Sequence, residues 1–118
     1  MNEQANAIYQ KFRTSQQAAL QLELALMGFF TNEGFTPQQT KAFADYLKLR
    51  VRPALQSLID QEDLAKIRQM EALGWLRPEL VEEGLLYAIR QKKSQAFLCL
   101  LKIKAEAYGF RDRNFDLP

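Results

Sequence analysis

The segment at residues 36–47, which reads TPQQTKAFADYL, carries the clearest signal of fold class in the chain. Thr36 can accept a hydrogen bond from the amide of Gln39, and the Gln39 side chain can reach back to the amide of Thr36. Pro37 suits the first position of a helix, where its missing N–H costs no hydrogen bond. Three large residues then fall on one helical face: Phe43, Tyr46 and Leu47. The segment therefore predicts an amphipathic helix with a defined start.

The rest of the chain also has a helical composition. Valine occurs twice, as Val51 and Val81, whereas Leu, Ala, Gln, Glu and Lys dominate. Unbranched side chains lose little rotamer freedom in a helix, while strands favour β-branched ones. The leucines at alternate positions of residues 20–26 have strand spacing, but the Gln, Glu and Ala between them favour a helix. We expect an all-α fold of six or seven helices packed as antiparallel hairpins, either a compact bundle or a short solenoid.

Local signals place the ends of the other helices. We predict helices over residues 3–13, from Thr14 or Ser15 to Met27 or beyond, over residues 64–73, from Pro78, and from Ser94 to about Tyr108. Pro53 either kinks the third helix or separates a fourth helix over residues 54–59. Gly28 is interpreted as the C-terminal stop of the second helix. Asp63 and Ser94 are interpreted as N-caps.

The overall dimensions favour one domain without a membrane partner. The 118 residues match a common domain size, so we expect a single helical domain over residues 1–118. The longest apolar runs, at residues 24–30 and 96–101, are far shorter than the roughly 20 residues that span a bilayer. The first residues lack the pattern of a signal peptide. Cys99 is the one cysteine, so no intramolecular disulfide is possible and we expect a cytoplasmic location.

Histidine-dependent catalytic chemistries are excluded, because the sequence contains no histidine. His-based acid–base catalysis, Ser-His and Cys-His pairs and His-containing metal sites all require it. Cys99 lies among leucines and is interpreted as a small core residue. Leu98 and Leu101 are expected in the same core, and if they are not buried their face is the leading candidate for a partner surface. The carboxylates of residues 60–63 suit a helix stop and the next N-cap. We predict no catalytic residue, no cofactor and no metal site, and hence a protein that is not an enzyme.

Two helix ends carry a similar pattern of a small residue, an apolar residue, glycine and an aromatic. These are residues 72–75, which read ALGW, and residues 107–110, which read AYGF. Glycine after a last helical residue commonly turns left-handed, and the following residue then packs on the last turn. We therefore predict positive φ at Gly74 and Gly109, with Trp75 and Phe110 folded back.

The stretch from Leu73 to Leu101 resembles an ankyrin-type repeat over about a quarter of the chain. The resemblance rests on Gly74-Trp75-Leu76, Pro78-Glu79-Leu80, residues 83–89 (EGLLYAI), residues 93–98 (KSQAFL) and Leu100-Leu101. It implies stacked pairs of short antiparallel helices and, as in that family, the binding of partner proteins. A plain helical hairpin with good caps is the alternative interpretation.

Two groups of residues are candidate interaction sites. The first is an aromatic cluster around a loop, which is either a partner surface or a lid on the core: Phe29, Phe30 and Phe35. The second is a basic group in the last third of the chain: Arg90, Lys92, Lys93, Lys102 and Lys104. We predict a non-enzymatic module that binds a protein partner or a second copy of itself. The alternative is a small nucleic-acid-associated or regulatory protein that uses the basic group, although the net charge is only +2.

Overall fold

The chain is all-α in the computed structural model, which describes residues 3–31 and 33–109 and contains no strand among them. The helices are α1 (Glu3–Thr14), α2 (Ala18–Thr31), α3 (Pro37–Lys48), α4 (Val51–Gln61), α5 (Leu64–Ala72), α6 (Pro78–Arg90) and α7 (Ser94–Lys104). A π-helical turn, Ala105–Gly109, continues α7. The prediction of an all-α fold with six or seven helices is confirmed over these residues.

The chain divides into two compact units, residues 1–54 and 55–118, with the boundary inside α4. In the first unit, α2 packs against both α1 and α3. In the second unit, α7 packs against α6 and α5. Because α6 ends at Arg90 and α7 begins at Ser94, their short connection makes them antiparallel neighbours. The single-domain assignment stays a prediction.

Several helix starts follow from local chemistry, as predicted. The Thr36 hydroxyl accepts from the Gln39 amide at 3.1 Å, and the Thr36 amide donates to Gln39 Oε1 at 3.1 Å. Asp63 Oδ1 accepts from the amide of Lys66 at 3.3 Å and so caps α5. Pro53 does not precede α4 but lies in its first turn, where amides have no intrahelical partner to lose.

Phe43 is the centre of the core in the first unit and has no exposed surface. Its ring makes edge-to-face contacts with Tyr9, Phe12 and Phe35 at centroid distances of 5.8, 4.9 and 5.1 Å. The interpretation of Gly28 as a helix stop is wrong, because Gly28 is buried inside α2. A Cβ there would overlap the Phe43 ring, so the glycine provides the space that the ring fills.

Three helix ends of the second unit share one hydrogen-bond pattern with a left-handed residue. The left-handed residues at the three ends are Glu62, Gly74 and Lys92, with φ of 51°, 78° and 59°, respectively. At the end of α5, for example, the Gly74 amide donates a hydrogen bond to Glu71 O at 3.0 Å. The amide of the next residue, Trp75, donates to Met70 O at 3.1 Å. This is the Schellman arrangement. The predicted positive φ at Gly74 is confirmed.

The sequence predicts a similar left-handed turn at Gly109, at the end of the last helix. Gly109 closes the π-helical turn, and its predicted positive φ stays a prediction. Phe110 and the rest of the tail lie outside the described residues.

Gly84 allows close approach of helices in the second unit. A Cβ at this position would lie 3.0 Å from Leu100 Cδ1 on α7 and 3.1 Å from Leu55 Cδ2 on α4. Leu55 and Leu100 are buried. Close packing against these two side chains therefore accounts for the glycine inside α6.

Candidate functional site

An open, mostly apolar groove of about 950 Å³ runs between α5 and α7 in the second unit. Its lining comes from three elements: Leu64, Ala65 and Arg68 of α5; Gln95, Leu98, Cys99, Leu101 and Lys102 of α7; and Ala105 of the π-helical turn. From Gln95 to Ala105 the groove follows α7 for about 15 Å, at the rise of an α-helix. A groove of this length matches about three turns of another helix.

Helix α7 is apolar on two sides, and only one of these sides is buried in the core. Its buried side consists of Ala96, Cys99, Leu100 and Ile103. Leu98 and Leu101 point elsewhere and remain 58% and 42% exposed. Their expected place in the core is therefore wrong. The position of a leucine on a leucine-rich helix does not show whether its side chain faces the core or the side of α5. Helix α5 is only nine residues long.

The rim of the groove is polar and partly self-neutralised. Arg68 Nη1 donates to Glu106 Oε1 at 2.9 Å and lies 3.7 Å from Glu71 Oε1. The hydrogen bond to Glu106 raises the pKa of Arg68, so the guanidinium is charged at neutral pH. Lys102 is exposed at the same rim. A ligand in the groove would therefore meet leucine side chains beside the ion-paired Arg68 and the cation of Lys102.

Cys99 contributes to the groove lining as an apolar group. The residue is 8% exposed, which confirms that it is mostly buried. Burial raises the pKa of its thiol, so the neutral form dominates near pH 7 and the reactive thiolate is scarce. The thiol therefore provides a small, weakly polar surface rather than a nucleophile.

The first turn of α7 is held by a residue that the sequence did not suggest. Glu62 Oε2 accepts hydrogen bonds from the amides of Gln95 at 2.9 Å and Ala96 at 3.1 Å. Ser94, predicted as the N-cap, is the first helical residue, and the position before it makes no side-chain cap. The prediction for Ser94 is wrong because a carboxylate distant in sequence satisfies these amides. This contact links one end of α7 to the turn between α4 and α5.

The five predicted basic residues do not form one cluster along α7. Arg90, Lys92 and Lys93 lie at or just beyond the end of α6, beside the start of α7. Lys102 and Lys104 lie at the opposite end of α7, about 14 Å or more away along the helix axis. Lys104 is also paired with Glu82 at 2.6 Å. The structure thus separates the predicted patch into two groups and partly neutralises one of them.

The three predicted aromatic residues are all half-buried. Phe29 and Phe30 are in edge-to-face contact with a centroid distance of 5.1 Å. Phe35 packs on Phe43 and also borders a small hollow of about 190 Å³ with Ile8 and Met27. The Phe35 contact corresponds to the core-lid interpretation, while a partner surface at these residues stays a prediction.

No family model, curated protein or solved structure matches this chain. The resemblance to ankyrin-type repeats therefore stays a prediction. Across residues 3–31 and 33–109, no helix is both long enough and apolar enough to cross a membrane.

Proposed function

We propose that this protein is a non-enzymatic interaction module that binds an apolar segment of a partner protein in the groove between α5 and α7. The observation that carries the proposal is the exposure of Leu98 and Leu101 on a helix whose other side is core. Single exposed leucines are ordinary, but two of them lining one extended concavity are typical of a binding site. The reducing cytoplasm is the proposed location, since Cys99 has no intramolecular partner.

The groove favours a partner that is itself an amphipathic helix. Such a helix places apolar residues at three- and four-residue spacing, and these would lie against Leu98 and Leu101. The cation of Lys102 at the rim favours an acidic residue on the flank of that helix, whereas the charge of Arg68 is already balanced by Glu106 and Glu71. No part of this description requires a reaction, and the lining residues offer mainly methyl and methylene surface.

The nucleic-acid alternative has less support. A nucleic-acid site normally combines a contiguous positive face with a recognisable motif. Here Lys93 and Lys102 lie near opposite ends of α7, and Lys104 is engaged by Glu82. The alternative is nevertheless tested by the same experiment.

The test is affinity capture by the wild-type chain and by two variants. Leu98→Asp places a charge in the groove, whereas Leu49→Asp makes the same change at a residue that is 83% exposed and lies outside it. Capture is repeated after nuclease treatment. We expect a partner protein that is retained by wild type and by Leu49→Asp, lost by Leu98→Asp and unaffected by nuclease.

The captured partner is then titrated into purified protein to show that binding is direct. We expect at least a tenfold weaker affinity for Leu98→Asp, which corresponds to about 1.4 kcal/mol. Equal capture by all three proteins would place the binding surface outside the groove. Loss of all captured protein on nuclease treatment would favour the nucleic-acid alternative instead.

A further inference from the structure

The exposed face of α6 carries two large apolar side chains in the second half of the helix. Leu86 and Ile89 are each 56% exposed, and their spacing of three residues makes them neighbours on the helix surface. The buried residues of α6 lie on the opposite side: Leu80, Val81, Gly84, Leu85 and Ala88. The face therefore presents an apolar centre that packing within the described part of the chain does not cover.

Charges of opposite sign flank this apolar centre. Glu79 and Glu83 are exposed on its N-terminal side, and Arg90 is exposed on its C-terminal side. At about 100° per residue, all three lie within about 60° of Leu86 around the helix. Lys93 follows in the turn beyond the helix end. Such charges suit the helix macrodipole, but the macrodipole does not account for the exposed leucine and isoleucine between them.

The order of charges along α6 is complementary to that of a second copy of the helix running antiparallel to it. Glu83 precedes Leu86 by three residues and Arg90 follows it by four. In two antiparallel copies of α6 that cross at Leu86, Glu83 of each copy comes beside Arg90 of the other. Glu79 then lies near Lys93 of the second copy. A parallel arrangement would instead bring like charges together.

We propose that two copies of this chain associate through the exposed face of α6, antiparallel and centred on Leu86. The interface is isologous, because the same patch serves both copies and each charge pair occurs twice. A single pair of crossing helices buries less than the roughly 1,600 Å² of a standard interface, so the dimer is weak and concentration-dependent. Added salt weakens it further by screening the flanking charges. This surface is separate from the groove of the proposed function.

The test uses two charge variants of the full chain in sedimentation equilibrium at low salt. The acidic variant is Arg90→Glu with Lys93→Glu, and the basic variant is Glu79→Lys with Glu83→Lys. Each variant alone places like charges at both ends of the interface, so each is expected to be monomeric. A mixture of the two restores opposite charges at both ends, so a one-to-one heterodimer is expected. Circular dichroism establishes that each variant is folded.

Leu86→Glu tests the apolar centre, and Leu49→Glu is its matched control at an exposed leucine away from α6. We expect the association constant to fall at least tenfold for Leu86→Glu and to be unchanged for Leu49→Glu. A wild-type protein that stays monomeric up to millimolar concentration would overturn the proposal. So would a mixture of the charge variants that fails to associate, or a dimer that Leu86→Glu leaves intact. A dimer lost only in Leu98→Asp would assign self-association to the groove and would also overturn it.

Discussion

Phe43 occupies the space in which a side chain at Gly28 would otherwise lie. The α2 backbone and the α3 ring are so close that a Cβ on Gly28 would overlap three atoms of the ring. The glycine therefore belongs to the core of the first unit, although alanine at the same position would be the better helix former.

Gly28→Ala is expected to destabilise the protein by about 1–3 kcal/mol, because the Phe43 ring must move out of a fully packed site. Gly84→Ala is the matched comparison. Its Cβ would lie 3.0 Å from Leu100 Cδ1 and 3.1 Å from Leu55 Cδ2, so two flexible methyl groups, rather than an aromatic ring, must shift by a few tenths of an ångström. Urea unfolding of both variants provides the measurement. A smaller loss for Gly28→Ala than for Gly84→Ala would contradict the packing described here.

The left-handed residues of the second unit predict effects of opposite sign. Gly74→Ala should cost roughly 1–2 kcal/mol, since a Cβ is strained at φ of 78° and has no nearby atom to contact. Lys92→Gly should stabilise the protein by up to about 1 kcal/mol, because it relieves the strain at φ of 59°. Lys92→Ala is the control that removes the charge without changing this strain. Thermal melts that rank Lys92→Gly no higher than Lys92→Ala would argue against the turn geometry.

Leucines of α7 should differ clearly in how much their replacement by alanine destabilises the protein. Leu100 has no exposed surface, so Leu100→Ala should cost about 2–5 kcal/mol. Leu98→Ala should cost less than about 1 kcal/mol, because that side chain is already largely in water and alanine favours helices. Urea melts of the two variants test this directly. An equally large loss for Leu98→Ala would mean that the groove is closed in solution.

Cys99 should react slowly with thiol reagents in the folded protein. Burial raises the pKa of the thiol, so the thiolate fraction at neutral pH is below that of an exposed cysteine and rises only as the pH becomes alkaline. We expect alkylation by iodoacetamide at pH 7 to be at least tenfold slower than in urea-unfolded chain. Comparable rates in the two states would show that the groove floor is open to reagents.

Glu62→Ala should destabilise the protein by about 0.5–2 kcal/mol, the usual range for loss of a helix N-cap. The amides of Gln95 and Ala96 would lose a carboxylate acceptor that no residue of α7 replaces. Glu62→Gln, which keeps one acceptor oxygen but loses the charge, should cost less. Chemical unfolding measures both values, and an unaffected Glu62→Ala variant would rule out a stabilising cap.

The sequence was sufficient wherever one short segment contains both partners of an interaction. The capping pair of Thr36 and Gln39 and the cap by Asp63 are of this kind, and both were predicted. The predicted start at Pro78 needs no partner, because a proline at the first helical position has no N–H to satisfy. Together with the scarcity of valine, such signals defined the all-α class and most helix bounds.

Errors occurred where the deciding partner is distant in sequence. Gly28 is understood only once Phe43 is placed, and the start of α7 only once Glu62 is placed. The groove was missed for the same reason. Leu98 and Leu100 are two residues apart in a uniformly apolar run, and only the packing of α7 against its neighbours leaves one exposed and buries the other.

The residue Glu62 also connects two distant parts of the second unit, so we expect these parts to open together. It occupies the left-handed position after α4 and at the same time holds the first turn of α7. If the turn between α4 and α5 opens, the amides of Gln95 and Ala96 lose their acceptor and become available for exchange with solvent deuterium. Hydrogen exchange at these two amides therefore reports on a turn more than thirty residues earlier in the chain.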